Sequence, residues 1–246
     1  MMRLFLALGF LWLAAAAPHS GYDDASAPVR AMQDDDTENP GFLWVQQGAA
    51  LWSDIGVPNG RSCGSCHGVD AMRGVAARYP AFDGGRGRPV TLEERVNLCR
   101  TGHQAAAPLA PESDALLGIT AWLGLQSRGL PMSVRADGEA AIFAERGRAL
   151  FQTRMGQLNL SCANCHDGLA GQRLGGSTIP QGQPNGYPLY RLEWQALGSL
   201  TRRLQNCLTG VRAEPMAADS PELVALQFYL GLRATGLAVE TPAVRP

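Results

Sequence analysis

Apolar residues return at helical spacing in two distant parts of the chain: Leu116, Ile119 and Leu123, then Leu223, Leu226 and Leu230. Residues three and four apart share one face of a helix. Each set therefore predicts a helix with a buried face, serving a core or the wall of a cofactor pocket. Just ahead of them, Pro111-Glu112-Ser113-Asp114 and Ser220-Pro221-Glu222 are good helix-start signals. A different pattern opens the chain. Arg3 precedes the apolar run Leu4–Leu13, and the alanines Ala14–Ala17 follow it. A positive residue, a short apolar run and small residues make a secretory signal peptide, expected at 1–17. A spanning helix needs about 20 apolar residues. No later run reaches that length, and no cysteine follows the cleavage region to carry a lipid. The mature protein is expected to be periplasmic and soluble, with no membrane anchor. From His19 to Asn39 the chain is polar and includes Asp34-Asp35-Asp36. Residues 18–39 are expected to form a flexible arm.

Composition narrows the classes. The 246 residues allow one large domain or two smaller ones. Charged residues are 17% and the formal net charge is -1. No global field points to nucleic acid or an anionic membrane. With 29 glycines, 16 prolines and only 7% aromatics, the chain suits short helices joined by long turns better than a regular sheet.

Six cysteines change the picture: Cys63, Cys66, Cys99, Cys162, Cys165 and Cys207. In an exported protein three disulfides would be the plain expectation. Local sequence argues otherwise. Cys63-Gly64-Ser65-Cys66-His67 and Cys162-Ala163-Asn164-Cys165-His166 are both C-x-x-C-H, the attachment motif of c-type haem. Two cysteines three apart reach the two vinyl groups of one haem, and the following histidine faces the iron. Redox pairs and zinc sites share C-x-x-C, but two full motifs behind an export signal point to two covalently attached c-type haems. Their proximal iron ligands would be His67 and His166.

The chain also repeats itself. Gly48 and Gly147 are 99 positions apart, as are Cys63 and Cys162. Arg95 to Gly102 and Arg203 to Gly210 both fit R-x-x-x-C-x-T-G, with Cys99 and Cys207 now 108 apart. Trp122 to Leu130 matches Tyr229 to Leu237. A unit of about 100 residues is thus expected twice. The fold expected is mainly α: two tandem cytochrome c domains from an internal duplication, at 40–134 and 135–246. In each, an opening helix precedes the motif, a Gly/Pro-rich loop follows, one helix carries the lone cysteine and another closes the unit.

An electron-transfer haem takes a second axial ligand, and thiolate is one choice. The lone cysteine is the element common to both halves, so His67/Cys99 and His166/Cys207 are the ligand pairs expected. Other possibilities are a Cys99–Cys207 disulfide, ligation by Met72, Met132, Met155 or Met216, and His103 in place of Cys99. Nearby arginines favour thiolate over thiol. Arg203 stands four residues before Cys207 and Arg212 five after it. Two guanidiniums beside a thiolate make a seat for a small anion. Arg202 reads as an ordinary solvated residue, and Arg95 is open to either role.

The two C-x-x-C-H motifs, the lone cysteine after each, Gly186-Tyr187-Pro188-Leu189-Tyr190-Arg191-Leu192-Glu193-Trp194 and the stretch from Cys207 to Pro215 together resemble the SoxA family. These are the dihaem subunits of a sulfur-oxidising cytochrome complex. The resemblance covers most of the chain from about Gly41 to Arg245. It implies a heterodimer with a small monohaem cytochrome, SoxX, acting as an L-cysteine S-thiosulfotransferase. Thiosulfate would be joined oxidatively to a cysteine of a carrier protein, SoxYZ, with two electrons passing to a cytochrome c acceptor. It also implies that Cys207 is both distal haem ligand and persulfide intermediate, and that Arg203 binds substrate. Two rivals remain: a thiosulfate dehydrogenase forming tetrathionate without a carrier, and a plain dihaem electron carrier.

Overall fold

The structure, a computed structural model, describes residues 17–246. The segment expected as a signal peptide lies outside them, apart from Ala17. Helix α1 (Ala27–Asp34) carries Pro28 in its first turn, where a missing N–H costs no helical bond. The stretch expected as a flexible arm is instead packed. Ala25 and Val29 are buried small apolar positions set in a polar sequence. Two polar residues are used as partners for backbone rather than for water. The Gln33 side-chain oxygen accepts from the backbone N–H of Val244 at 3.0 Å. Asn39 donates from Nδ2 to the carbonyl of Pro242 at 2.8 Å.

The first half contains helix α2 (Phe42–Ser53), a hairpin of β1 (Ala81–Asp83) and β2 (Arg88–Val90), and helices α3 (Leu92–His103) and α4 (Asp114–Leu125). The second contains α5 (Ala141–Gln152), the short α6 (Cys162–His166), a hairpin of β3 (Arg173–Leu174) and β4 (Ser177–Thr178), then β5 (Leu189–Arg191) and β6 (Ala196–Gly198). Helices α7 (Leu200–Gly210) and α8 (Pro221–Arg233) and strand β7 (Ala243–Arg245) complete it. Strand β5 lies between β6, antiparallel, and β7, parallel. Helix starts are set by hydroxyl caps: Thr91, Ser113, Ser199 and Ser220 each accept from the backbone N–H three residues on.

Helix α2 packs on α4, and α5 on α8. Each crossing is closed by a glycine. A Cβ on Gly48 would stand 2.0 Å from the carbonyl oxygen of Gly118, and one on Gly147 2.1 Å from that of Ala225. Only a residue without a side chain lets these backbones approach so closely. The periodic residues Leu116, Ile119, Leu123, Leu223, Leu226 and Leu230 are all buried. The first three join a cluster with Trp52 and Trp122, and the last three a cluster with Phe151 and Leu204. No helix among the described residues is long and apolar enough to cross a membrane.

Candidate functional site

The second motif is a helical turn. The hydroxyl of Ser161 accepts from the N–H of Asn164, and the Asn164 side chain accepts from the N–H of Ser161 at 2.9 Å, a reciprocal cap. Cys162 and His166, four apart, therefore share a face. The ring Nδ1 of His166 lies 2.8 Å from the carbonyl oxygen of Pro180. The loop bringing that carbonyl in turns at Gly182, whose φ is +71° and whose missing Cβ would stand 3.0 Å from the ring. Cys207 comes from α7 and faces the His166 ring. Cys162, His166 and Cys207 line one cleft of about 1100 Å³, its open mouth included, walled by apolar Phe151, Leu204 and Leu230.

Burial raises the Cys207 pKa. The neighbouring His166 ring and the charges of Arg203 and Arg191 outweigh it, and the thiol ends below its ordinary value. Burial, then the nearby Cys207, push Cys162 up to about 11. Burial pushes the Tyr187 hydroxyl, also on the cleft, up to about 12.

Arg203 lines the cleft and has no ion-pair partner among the described residues. Arg212 does not join it. The chain leaves α7 through Val211 and turns at Arg212, whose φ is +58°, and Arg212 is exposed and absent from the cleft wall. The second guanidinium on the cleft is that of Arg191, from β5. Its Nε donates to the main-chain oxygen of Pro246 at 2.8 Å and one nitrogen pairs with Glu193 at 2.7 Å. Its Nη1 is buried without a partner among the described residues. Burial and the charge of Arg203 hold it below its ordinary value. Arg191 is the residue that reasoning from the neighbourhood of Cys207 missed.

The first motif forms an irregular turn, tied by the N–H of Gly64 to the carbonyl of Trp52 at 2.9 Å. Gln104 donates to the sulfur of Cys63 at 3.7 Å. The His67 ring lies 6.3 Å from that of Trp52. Cys99 is half-buried close to Cys66, and burial raises its thiol, only partly offset by Arg95. Arg95 itself is paired with Asp83. His103 ends α3 exposed, its carbonyl accepting from Asn59 at 2.6 Å. All six cysteines are free, which sets aside a Cys99–Cys207 disulfide. None of Met72, Met132, Met155 and Met216 lines the cleft beside His166.

The family model of the SoxA/TsdA cytochrome c domain matches the chain twice, over residues 47–132 and 146–239. The L-cysteine S-thiosulfotransferase subunit SoxA of Pseudaminobacter salicylatoxidans is 38% identical over 92% of this chain and 80% of its own length. That of Rhodovulum sulfidophilum is 37% identical over 92% of this chain and 79% of its own. This chain belongs to the SoxA family. The solved structure of SoxXA from P. pantotrophus agrees, with a TM-score of 0.89 at 36% identity over 93% of this chain and 87% of that one.

As in the SoxA family at large, the cofactor is covalently bound c-type haem and the activity that of an L-cysteine S-thiosulfotransferase subunit. The second site fits that group on its own geometry. A carbonyl oxygen only accepts, so the proton of the neutral His166 ring sits on Nδ1, leaving Nε2 as a ligand. A sulfur donor faces it, an attachment cysteine stands on the same wall, and the rest of that wall is apolar.

Proposed function

We propose that the cleft of the second half is where thiosulfate is handled, with Cys207 as the sulfur at the centre and Arg203 holding the anion. One observation carries this: Cys207 and the expected iron ligand His166 line one cleft with Arg203, an arginine without a carboxylate partner among the described residues. Haem iron on this reading is ligated by His166 and Cys207 in the second half and by His67 and Cys99 in the first. The haems are attached at Cys162 and Cys165 and at Cys63 and Cys66. The two halves are mainly α cytochrome c domains, 40–134 and 135–246, derived from one duplicated unit. The recurrence of a capped helix bearing each lone cysteine supports this. The chain works in the periplasm with a SoxX-like monohaem cytochrome.

The chemistry is an oxidative sulfur–sulfur coupling. A carrier cysteine of SoxYZ loses its thiol proton, its sulfur bonds to the outer sulfur of thiosulfate, and two electrons leave. Haem, when bound, supplies a one-electron acceptor, so the two electrons leave singly and reduce two molecules of oxidised cytochrome c. Cys207 places its sulfur beside the reacting pair. Arg203 offsets the charge of the incoming dianion by charge-assisted hydrogen bonds, each worth about 1.5–3 kcal/mol. The apolar wall of Phe151, Leu204 and Leu230 keeps water from one side of the cleft and so strengthens those interactions.

The deciding assay combines the protein, with and without SoxX, with thiosulfate, a carrier bearing a C-terminal cysteine, and oxidised cytochrome c. The carrier should gain the mass of one thiosulfate group while cytochrome c is reduced. Tetrathionate formed without a carrier would make the chain a thiosulfate dehydrogenase. Haem reduction by other donors, with neither product, would make it an electron carrier.

A further inference from the structure

The two halves can be overlaid position by position from the first hairpin to the lone cysteine. Tyr187-Pro188, β5, β6, the Ser199 cap, Arg203 and Cys207 each follow Tyr79-Pro80, β1, β2, the Thr91 cap, Arg95 and Cys99 by 108 residues. Strand register agrees. Asp83 pairs across its hairpin with Arg88, and Arg191 across its own with Ala196. Arg191 thus occupies the place that Asp83 holds in the first half.

That one exchange inverts the electrostatics beside the cysteine. In the first half Arg95 pairs with Asp83, and the charge next to Cys99 is neutralised within the protein. In the second half Arg203 meets an arginine at the same register position. Both guanidiniums line the cleft that holds Cys207. Glu193, largely exposed, and the Pro246 oxygen take one edge of Arg191, while Nη1 is buried and unpartnered. Two like charges on one cleft, one with an orphaned buried donor, are costly unless an anion joins them. A tetrahedral dianion with several acceptor oxygens answers both charges and the orphan donor at once.

We propose that Arg191 is the second anion-binding residue of the catalytic cleft. It grips the sulfonate oxygens of thiosulfate opposite Arg203, and the acid-to-arginine exchange between positions 83 and 191 confines substrate binding to the second half. This rests on the reading of Cys207 as the reacting centre. A haem carboxylate is the other anion of this chemistry that could meet Arg191, so the experiment separates the two.

The test uses the haem-loaded heterodimer with carrier and cytochrome c. It compares wild type with Arg191→Gln, Arg191→Lys and Arg191→Asp. Arg191→Gln should raise KM for thiosulfate roughly 10- to 100-fold, the range of one or two lost charge-assisted bonds, with kcat less affected. Haem content, visible spectrum and thermal midpoint should stay as in wild type. Arg191→Lys should fall between the two. Arg191→Asp, which rebuilds the pair of the first half against Arg203, should bind thiosulfate worst. Sulfate should inhibit wild type competitively and Arg191→Gln much less. An unchanged KM in Arg191→Gln overturns the proposal. So does a shift of haem potential or haem loss with KM for the remaining holoprotein unchanged, which would give Arg191 to the haem carboxylates. Should Arg191→Gln fail to fold, a wild-type KM in Arg191→Lys with equal sulfate inhibition overturns it. The reading of Cys207 fails separately, if Cys207→Ser still conjugates thiosulfate while Arg191→Gln does not bind it.

Discussion

Nδ1 of His166 stands 2.8 Å from the carbonyl oxygen of Pro180, and the loop that brings them together turns on Gly182. The contact fixes both the tautomer and the ring plane of the expected proximal ligand. Gly182 has a φ of +71° that side chains seldom adopt, and the ring of His166 occupies the space a Cβ would need. Gly182→Ala should cost about 1–3 kcal/mol in denaturant unfolding of the holoprotein and reduce covalent haem at the second site. Gly84, with an ordinary φ and open space around it, is the control. Gly84→Ala should change neither quantity. Equal behaviour of the two variants would remove the positioning role given to the Pro180 loop.

Thiolate ligation at both haems makes a paired spectroscopic expectation. Cys207→Ser should remove the thiolate signature of one haem and abolish conjugation. Cys99→Ser should remove that of the other while conjugation persists. The asymmetry follows from surroundings: Cys207 has the charges of Arg203 and Arg191 beside it, while the arginine near Cys99 is tied to Asp83. Visible and electron paramagnetic resonance spectra of the two variants decide it. An unchanged spectrum in either sinks ligation at that site.

Arg203 and Arg212 flank the same cysteine in sequence but not in space. Arg203→Gln should raise KM for thiosulfate by at least about tenfold, the loss of roughly 1.5 kcal/mol or more in charge-assisted bonding. Rising ionic strength should then depress wild type more than the variant. Arg212→Gln, on an exposed turn away from the cleft, should stay within about twofold on the same reasoning. A Michaelis–Menten series on the two variants is enough. A larger effect at Arg212 than at Arg203 would mean the cleft is misassigned.

The features legible in the sequence were those with a local cause. Leu223, Leu226 and Leu230 announce a buried helix face because a helix repeats every three to four residues, and Ser220 caps it with its own hydroxyl. C-x-x-C-H is legible because one helical turn brings Cys162 and His166 to one wall of the cleft. What was not legible depended on contacts across the chain. Arg212 follows Cys207 closely, yet α7 ends at Gly210 and the left-handed turn at Arg212 leaves the cleft. Arg191, sixteen residues before Cys207 in sequence, reaches the cleft from β5, which is held between β6 and β7. The polar stretch before Pro40 looks solvated by composition. Its Gln33 and Asn39 meet backbone groups more than two hundred residues away.

That last packing leads to a testable role for the N-terminal segment. Gln33 accepts from the N–H of Val244 and from Arg245, and it is buried. Gly21, Asp24 and Ala25, from the same segment, line the cleft of Cys207. Removing the Gln33 carbonyl oxygen would leave a buried N–H of β7 unpaired, at a cost of about 1–3 kcal/mol. The helix α1 would lose its hold on β7 and one wall of the cleft would loosen. Gln33→Ala should therefore lower the thermal midpoint and expose residues 17–39 to limited proteolysis. It should also raise the rate at which small thiol reagents or cyanide reach the second haem. Gln33→Glu keeps an acceptor facing both Val244 and Arg245, and should remain protease-resistant. If Gln33→Ala is as stable and as protected as wild type, the segment is a loose arm after all and contributes nothing to the cleft.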